Sequence, residues 1–288
     1  MKKTITCMAL VVFLGMQNAT AQKKEFKEVI KKELAYKNTG NERMLEVHNL
    51  NGSITVEGYD GDIVLLEVDK VISARNSNDL ELGKKEVGVN VLHANGRLIV
   101  YPDVPNMHYK DGRFTSIDCN GWEESPYEHT LNFKVKMPKE SRLKVGAINN
   151  GEVLVKNTRG TYINANNING GIELMNITGQ TKVHCINGEV RISYADNPVA
   201  SSTYYSLNGD INITYQKDLS ADIAFKSMNG ELFTDFDISN QYAKTTKDGS
   251  GGKNTKYRYE AKPVVQIGKG GLEFDFETLN GDVIIKKI

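Results

Sequence analysis

The sequence predicts an all-β chain folded as a β-solenoid, a single-stranded β-helix-like stack of ~20-residue coils with Asn-Gly corners. Three observations predict it. The phrase "SLNGDINI", Ser206 to Ile213, returns as "CINGEVRI", "SMNGELFT" and "TLNGDVII". Asn-Gly recurs at Asn150, Asn169, Asn187, Asn208 and Asn229 in steps of 19, 18, 21 and 21 residues, with further copies at Asn51 and Asn280. Around each copy apolar and polar residues alternate with period two, as in a half-buried strand.

The alternation can be read column by column. The third residue after Asn is Ile54, Val153, Ile172, Val190, Ile211, Leu232 or Val283, and the fifth is Val56, Val155, Leu174, Ile192, Ile213, Thr234 or Ile285. Polar residues such as Glu173, Arg191 and Asn212 lie between them. Counted from Asn150, one copy departs: Asn149 stands where the others are apolar, and Leu143 and Val145 fall one place out of step. Nothing in residues 140–288 keeps a helical spacing.

The contest is therefore between a solenoid and an antiparallel meander of nine-residue units. Asn-Gly favours type I′ hairpins, and Arg159-Gly160 and Thr178-Gly179 add turn signals between copies. Hairpins select each turn separately and have no reason to keep one corner while the opposite one drifts. Stacked coils do, because amide side chains bond along a stack, and Asn and Gly tolerate a left-handed corner. The expected corner ladder is Asn150-Gly151, Asn169-Gly170, Asn187-Gly188, Asn208-Gly209, Asn229-Gly230 and Asn280-Gly281. Asn95-Gly96, in "VNVLHANGRLIVY", reads instead as a true hairpin.

Along the chain, residues 1–21 read as a signal peptide. Lys2 and Lys3 precede an apolar run from Ile5 to Met16, and Ala19-Thr20-Ala21 fits a cleavage site, so the mature chain is expected to begin at Gln22. The run is too short to span ~30 Å of hydrocarbon, which takes ~20 apolar residues, and no other segment approaches that length. Residues 22–145 form an N-terminal β region with an insertion at 102–130; residues 146–288 hold the regular repeats with an insertion at 240–271. In residues 22–40, Phe26, Val29, Ile30 and Leu34 could share a helical face, but "VIKKELAY" reads better as an edge strand.

Of the 288 residues, 36 are Lys or Arg and 36 are Asp or Glu. Loss of the two leader lysines leaves a balance of −2, without the basic excess typical of nucleic-acid binding. Cys7 leaves with the leader. Export permits a disulfide between Cys119 and Cys185, but Cys185 occupies a column filled elsewhere by Ser206, Ser227 and Thr278, which suits a small residue at a packed corner.

Three passages carry a resemblance: "MLEVHNLNGSITVEGYDGDIVLLEVDK", "FKVKMPKESRLKVGAINNGEVLVKNTRGTYINANNINGGIELMNITG" and "GGLEFDFETLNGDVIIKK". Over roughly residues 40–288 the chain resembles the bacterial putative-adhesin β-strand repeat family of exported proteins. The resemblance implies stacked short strands in a β-helix-like solenoid. It supplies no catalytic residues to carry over.

Chemistry-bearing patterns are sparse. The acids after Asn-Gly (Glu152, Glu189, Asp210, Glu231 and Asp282) would stack ~4.8 Å apart. Calcium favours oxygen-rich sites, yet no calcium-loop pattern accompanies the acids, and a solvated edge that deters strand pairing is the better reading. His108, Asp111, Asp118, Cys119 and His129 lack metal-ligand spacing. No nucleophile elbow, Ser-His-Asp order or complete phosphate loop is present. Tyr109, Phe114, Trp122 and Tyr127 could stack on sugars, but rings packed onto the solenoid are the expectation. The second insertion has seven Lys or Arg against Asp248 and Glu260, and reads as a flexible basic excursion.

These residues predict an exported, non-catalytic, adhesin-like binding module of the envelope or cell surface, without cofactor or metal. Glycans, lipopolysaccharide or envelope proteins are the candidate partners, with no nucleic acid and no transmembrane segment in the mature chain. Periplasm, outer surface and secretion all remain open as destinations. The alternatives are a β-helix enzyme acting on acidic polysaccharide and an envelope structural or signalling partner.

Overall fold

A computed structural model describes residues 23–37, 43–105, 107–110, 113–116, 125–244 and 262–288. The expected leader and cleavage point lie outside these residues. So do Asp111, Asp118, Cys119 and Trp122 of the first insertion and residues 245–261 of the second.

The chain is all-β with one short helix among the described residues. Its N-terminal part runs β1 (Lys24–Leu34), β2 (Met44–His48), β3 (Ile54–Tyr59), β4 (Val64–Ala74), α1 (Ser77–Glu86), β5 (Gly88–Ala94), β6 (Arg97–Asp103), β7 (Met107–Lys110), β8 (Arg113–Ser116) and β9 (Tyr127–Pro138). There follow β10 (Arg142–Ala147), β11 (Val153–Lys156), β12 (Tyr162–Asn169), β13 (Ile172–Ile177), β14 (Gln180–Asn187), β15 (Val190–Tyr194), β16 (Ser202–Asn208) and β17 (Ile211–Tyr215). The last are β18 (Ala221–Lys226), β19 (Leu232–Thr234), β20 (Ile238–Lys244), β21 (Lys262–Ile267), β22 (Glu273–Asn280) and β23 (Val283–Lys287).

Two long sheets face each other. The first has ten strands in the order β1-β4-β9-β3-β11-β13-β15-β17-β23-β19. The second has eleven, in the order β5-β6-β2-β10-β12-β14-β16-β22-β18-β21-β20. Within the repeats the chain alternates between sheets, and each strand pairs in parallel with its counterparts from neighbouring repeats. The turns at Asn169, Asn187, Asn208 and Asn280 therefore close no hairpin between the strands they join. Asn95-Gly96 does: Ala94 faces Arg97 across antiparallel β5 and β6, and both turn residues have positive φ (50° and 75°), as a type I′ turn requires.

Among the strand pairs, spatial order departs from chain order twice, and in the second sheet β21 also lies between β18 and β20. The C-terminal pair β22/β23 lies between β16/β17 and β18/β19, and β2/β3 lies between β6/β9 and β10/β11. The first departure has a packing reason. In its inserted position β22 stacks Phe276 on Tyr204 at 4.6 Å and brings Phe274 to 5.5 Å from Tyr215. Phe274, Phe276, Tyr204 and Tyr215 are all fully buried, and large rings dominate core energetics.

The core between the sheets is filled by the apolar half of each alternation, including Leu45, Val47, Val153, Ile172, Ile192 and Ile213. Antiparallel strands close its ends. At one end β1 pairs with β4 along its whole length, as the edge-strand reading of residues 22–40 expects. Helix α1 packs there too. Asn76 caps it, accepting a 2.9 Å bond from the Asp79 amide, and Gly83 lets it lie against Ile72 and Tyr127. At the other end β21 and β20 extend the second sheet, so the flanks of the second insertion are paired strands. No described helix is long and apolar enough to cross a membrane.

Candidate functional site

The turn columns come first. Asn169 donates to Asn149 (2.9 Å), Asn187 to Asn169 (3.0 Å), Asn208 to Asn187 (3.0 Å), Asn280 to Asn208 (2.8 Å) and Asn229 to Asn280 (2.9 Å). Two placements differ from the sequence reading. Asn150 stands outside the column and Asn149 takes its place, bridging to Asn51 as well. The reason is one extra residue in that turn, which Asn150 absorbs at φ 57°. Counted from Asn149, Leu143 and Val145 come into step: Leu143 pairs with Ile163 and Val145 with Ala165. Secondly, Asn229 bonds to Asn280 and not to Asn208, because β22/β23 intervene.

Gly151, Gly170, Gly188, Gly209, Gly230 and Gly281 stack beside these amides. A Cβ on Gly209 would sit 2.2 Å from the Gly188 carbonyl oxygen, at a φ of 152°. Inside the turn, a column of small polar groups faces the same carbonyls. Asn167 donates to Gly151 and Gly171 (both 3.0 Å), Ser206 to Gly188 (3.3 Å) and Thr278 to Gly281 (2.8 Å). Cys185, a buried free thiol, holds the equivalent place and contacts the Gly170 and Gly188 carbonyls. Of the acids, Asp210 accepts the Asp282 amide and Asp282 the Glu231 amide (both 2.9 Å), while Glu189 pairs with Arg191. The described residues contain no group of three or more His, Cys, Asp and Glu arranged to hold a metal ion.

The second feature is the outward face of the second sheet. Strand alternation that sends Leu45, Val47, Leu143, Val145, Ile163 and Val183 inward sends polar residues outward. Cross-strand register aligns them in two rows. Glu46, Lys144, Asn164, Lys182 and Thr203 form one; His48, Gly146, Asn166, His184 and Tyr205 form the other. The antiparallel hairpin β7–β8 crosses one end of this face, setting Tyr109 5.1 Å from both the His48 and Tyr101 rings.

Under that hairpin Glu46 is fully buried. It takes bonds from His48 Nε2 (2.6 Å), Lys144 Nζ (2.7 Å), Arg97 Nη1 (3.3 Å) and the Tyr109 hydroxyl. Burial alone would raise its pKa, but hydrogen bonds from His48, Lys144 and Tyr109 hold the carboxyl well below the usual carboxylate range. Burial pushes the His48 imidazole down despite the attraction of Glu46. Burial and the bond to Glu46 push the Tyr109 phenol up. A Glu, a His, a Tyr and two cations thus converge within hydrogen-bond reach. Sequence reading missed this cluster because Glu46 and His48 look like ordinary outward positions of "MLEVHNL", and their partners lie far along the chain.

Of the rings in the first insertion, Tyr127 is buried and bonds Glu86 at 2.7 Å, while Tyr109 packs on the sheet. Both serve as packing rings.

An all-β body of two long sheets, paired largely in parallel and closed by antiparallel strands, defines the class. The chain belongs to the Toastrack DUF4097 family, whose model matches residues 44–264. No curated protein matches it. Among solved structures it is similar to one from Clostridium sporogenes described as a putative cell adhesion protein, at 12% identity and a TM-score of 0.44, covering 93% of this chain and 100% of that one. It is also similar to a Parabacteroides distasonis structure described as a putative lipid binding protein, at 11% identity and a TM-score of 0.35, covering 91% and 96%. A third, described as a putative adhesin from Parabacteroides merdae, has 13% identity and a TM-score of 0.30, covering 91% and 96%. At these identities and TM-scores the likenesses decide neither ligand nor activity.

Proposed function

We propose that the protein is an exported, non-catalytic binding module of the cell envelope or surface. In this reading the strand pairs are coils of a β-solenoid, the Asn-Gly column is its structural corner ladder, and the outward face of the second sheet is the binding surface. The observation that carries it is that face: two aligned rows of charged, amide and ring side chains on a rigid sheet, bounded by a docked hairpin. Sites on sheets are held more precisely than sites on loops. Glycans, lipopolysaccharide and envelope proteins are the partners such a surface suits. Purified mature protein should bind whole cells or a glycan array, and the cellular form should begin at Gln22. Binding to neither cells nor glycans, or an intact Met1 in cells, would overturn the reading.

A second reading is favoured by one observation, the convergence of Glu46, His48, Tyr109, Lys144 and Arg97. Enzymes that act on acidic polysaccharide need a base and cations in one groove. Here Glu46 and His48 are enclosed, and Glu46 is held as the anion by its neighbours, which suits anchoring the hairpin better than turnover. Release of unsaturated or reducing-end sugar from polyuronate would reverse that preference.

A further inference from the structure

We propose that the outward face of the second sheet, from β10 to β16 beside the β7–β8 hairpin, binds an acidic polysaccharide whose carboxylates pair with Arg142 and Lys182. This rests on the binding-module reading and names the ligand class it takes.

Across the outward positions of β2, β10, β12, β14 and β16 the one acid is Glu46, already engaged by His48, Lys144, Arg97 and Tyr109. The cations there are Arg142, Lys144 and Lys182. Arg142 lies 5.3 Å over the Tyr162 ring and Lys182 is exposed; neither has an ion pair among the described residues. The acids of this sheet gather further along, on β22, where Asp275 is met by Lys262. A carboxylate polymer is drawn to the cationic stretch and repelled from the far end, which gives the site a boundary.

Lys182 stands two strands from β10, ~9.6 Å at the usual strand separation, in the cross-strand row of Asn164 and Lys144; Lys144 is held by Glu46, and Arg142 lies two residues before it on β10. A polymer with charges at intervals can meet both Arg142 and Lys182; a lone small anion uses one of them. Asn166 donates to Asn164 (2.8 Å) and Asn164 to the Tyr162 hydroxyl (3.3 Å), which orients the amides yet leaves outward donors and acceptors for sugar hydroxyls. Beside them His184 and Tyr205 stack at 4.6 Å, a rigid ring pair at the margin.

An anionic membrane is the competing occupant, and the face does not suit it. Exposed apolar residues such as Ile168 and Met228 sit beside the Asn-Gly turns, while the two rows themselves carry none. Bilayer binding draws on buried apolar area as well as charge.

The test is titration calorimetry of the mature protein with a hexameric oligogalacturonate, beside a neutral glucan hexamer and phosphatidylglycerol vesicles. The oligouronate should bind and weaken as salt rises, and the neutral hexamer should bind far less. Lys182→Gln should weaken Kd about fivefold and Arg142→Gln/Lys182→Gln about twentyfold, as expected for exposed ion pairs. Lys182→Arg should restore binding, and Lys286→Gln, on the outward side of the first sheet, should not change it. Equal affinity for the neutral hexamer, preference for the vesicles, or a double variant that binds like wild type would overturn the proposal. If the wild type ignores oligouronate yet binds cells or other glycans, this inference fails while the binding-module reading survives.

Discussion

At the Asn-Gly end of the strand pairs, two residues separate the strands at Asn169, Asn187, Asn208 and Asn280, and an amide bond joins each Asn to the next. At the opposite end the turns run from two residues after β13 to seven after β15. There the supports are local and varied. Asn176 donates to Asn157 (2.8 Å) and Arg159 to the Asn176 carbonyl (2.8 Å), whereas Asn197 binds Asp218 (2.8 Å). Register is held where the glycines stack. Glycines stacked against carbonyls leave no room for another residue type, so one end sets the height of each strand pair, and the other end can vary in length without moving the core.

The largest expected effect tests the close approach. Gly209→Val places a β-branched side chain against the Gly188 carbonyl at positive φ, and should cost about 3 kcal/mol or more, of which backbone strain alone is of order 1–3. Denaturant unfolding measures it; a loss below 1 kcal/mol would mean that this end does not hold the register. Asn187→Ala removes two amide bonds and should cost about 1–2 kcal/mol. Asn176→Ala, at the opposite end, should cost about 1 kcal/mol, through the bond to Asn157, an exposed and longer bond from Arg159 (3.2 Å) and an αL site at φ 53°. Equal costs for the two asparagines would erase the contrast between the ends.

Acid sharpens the comparison, because the asparagine column carries no titrating group and the hairpin cluster carries several. His48 has a folded pKa below its ordinary 6.5, so its contribution is fully present above that value and is lost as pH falls below it. Glu46, also depressed, adds stability present above the ordinary carboxylate range and lost only in stronger acid. Between pH 7 and 5 two imidazoles act: His48, against Glu46, Lys144, Arg97 and Tyr109, and His129, which burial also pushes down and which faces Asn51 at the far end of the column from Asn187 and Asn208. Hydrogen exchange in residues 107–110 should then accelerate while Asn187 and Asn208 amides stay protected. Uniform acceleration would place the sensitivity elsewhere. The smallest effect is expected from Asn212→Val, a half-buried outward strand position: the lost 2.9 Å bond to Glu189 is offset by the strand preference of a β-branched residue, for a net change of about 0.5 kcal/mol.

The all-β class was legible in the chain because alternation is local: Ile211 and Ile213 turn inward, and Asn212 outward, whatever strand lies beside them. The edge strand at residues 24–34 and the hairpin at Asn95-Gly96 were legible for the same reason. Helix α1 was not, since its ten residues have no apolar stripe of their own; the Asn76 cap and the fit of Gly83 against Tyr127 support it. Neither was the place of Asn149, which its bond from Asn169 and its bridge to Asn51 decide.

Strand order belongs to tertiary structure alone. The copies at Asn208, Asn229 and Asn280 carry nearly the same phrase, so no local preference selects a neighbour. The choice lies in ring volumes: Phe276 covers Tyr204 on the neighbouring strand, and Phe274 meets Tyr215 of the facing sheet. The Glu46 cluster has the same origin. A carboxylate on an outward strand position reads as solvated, and becomes a buried anion only when a hairpin some sixty residues later lays Tyr109 over it and Lys144 and Arg97 approach from strands distant in the chain. Periodicity records which way a side chain points; what lies opposite it is decided by the folded whole.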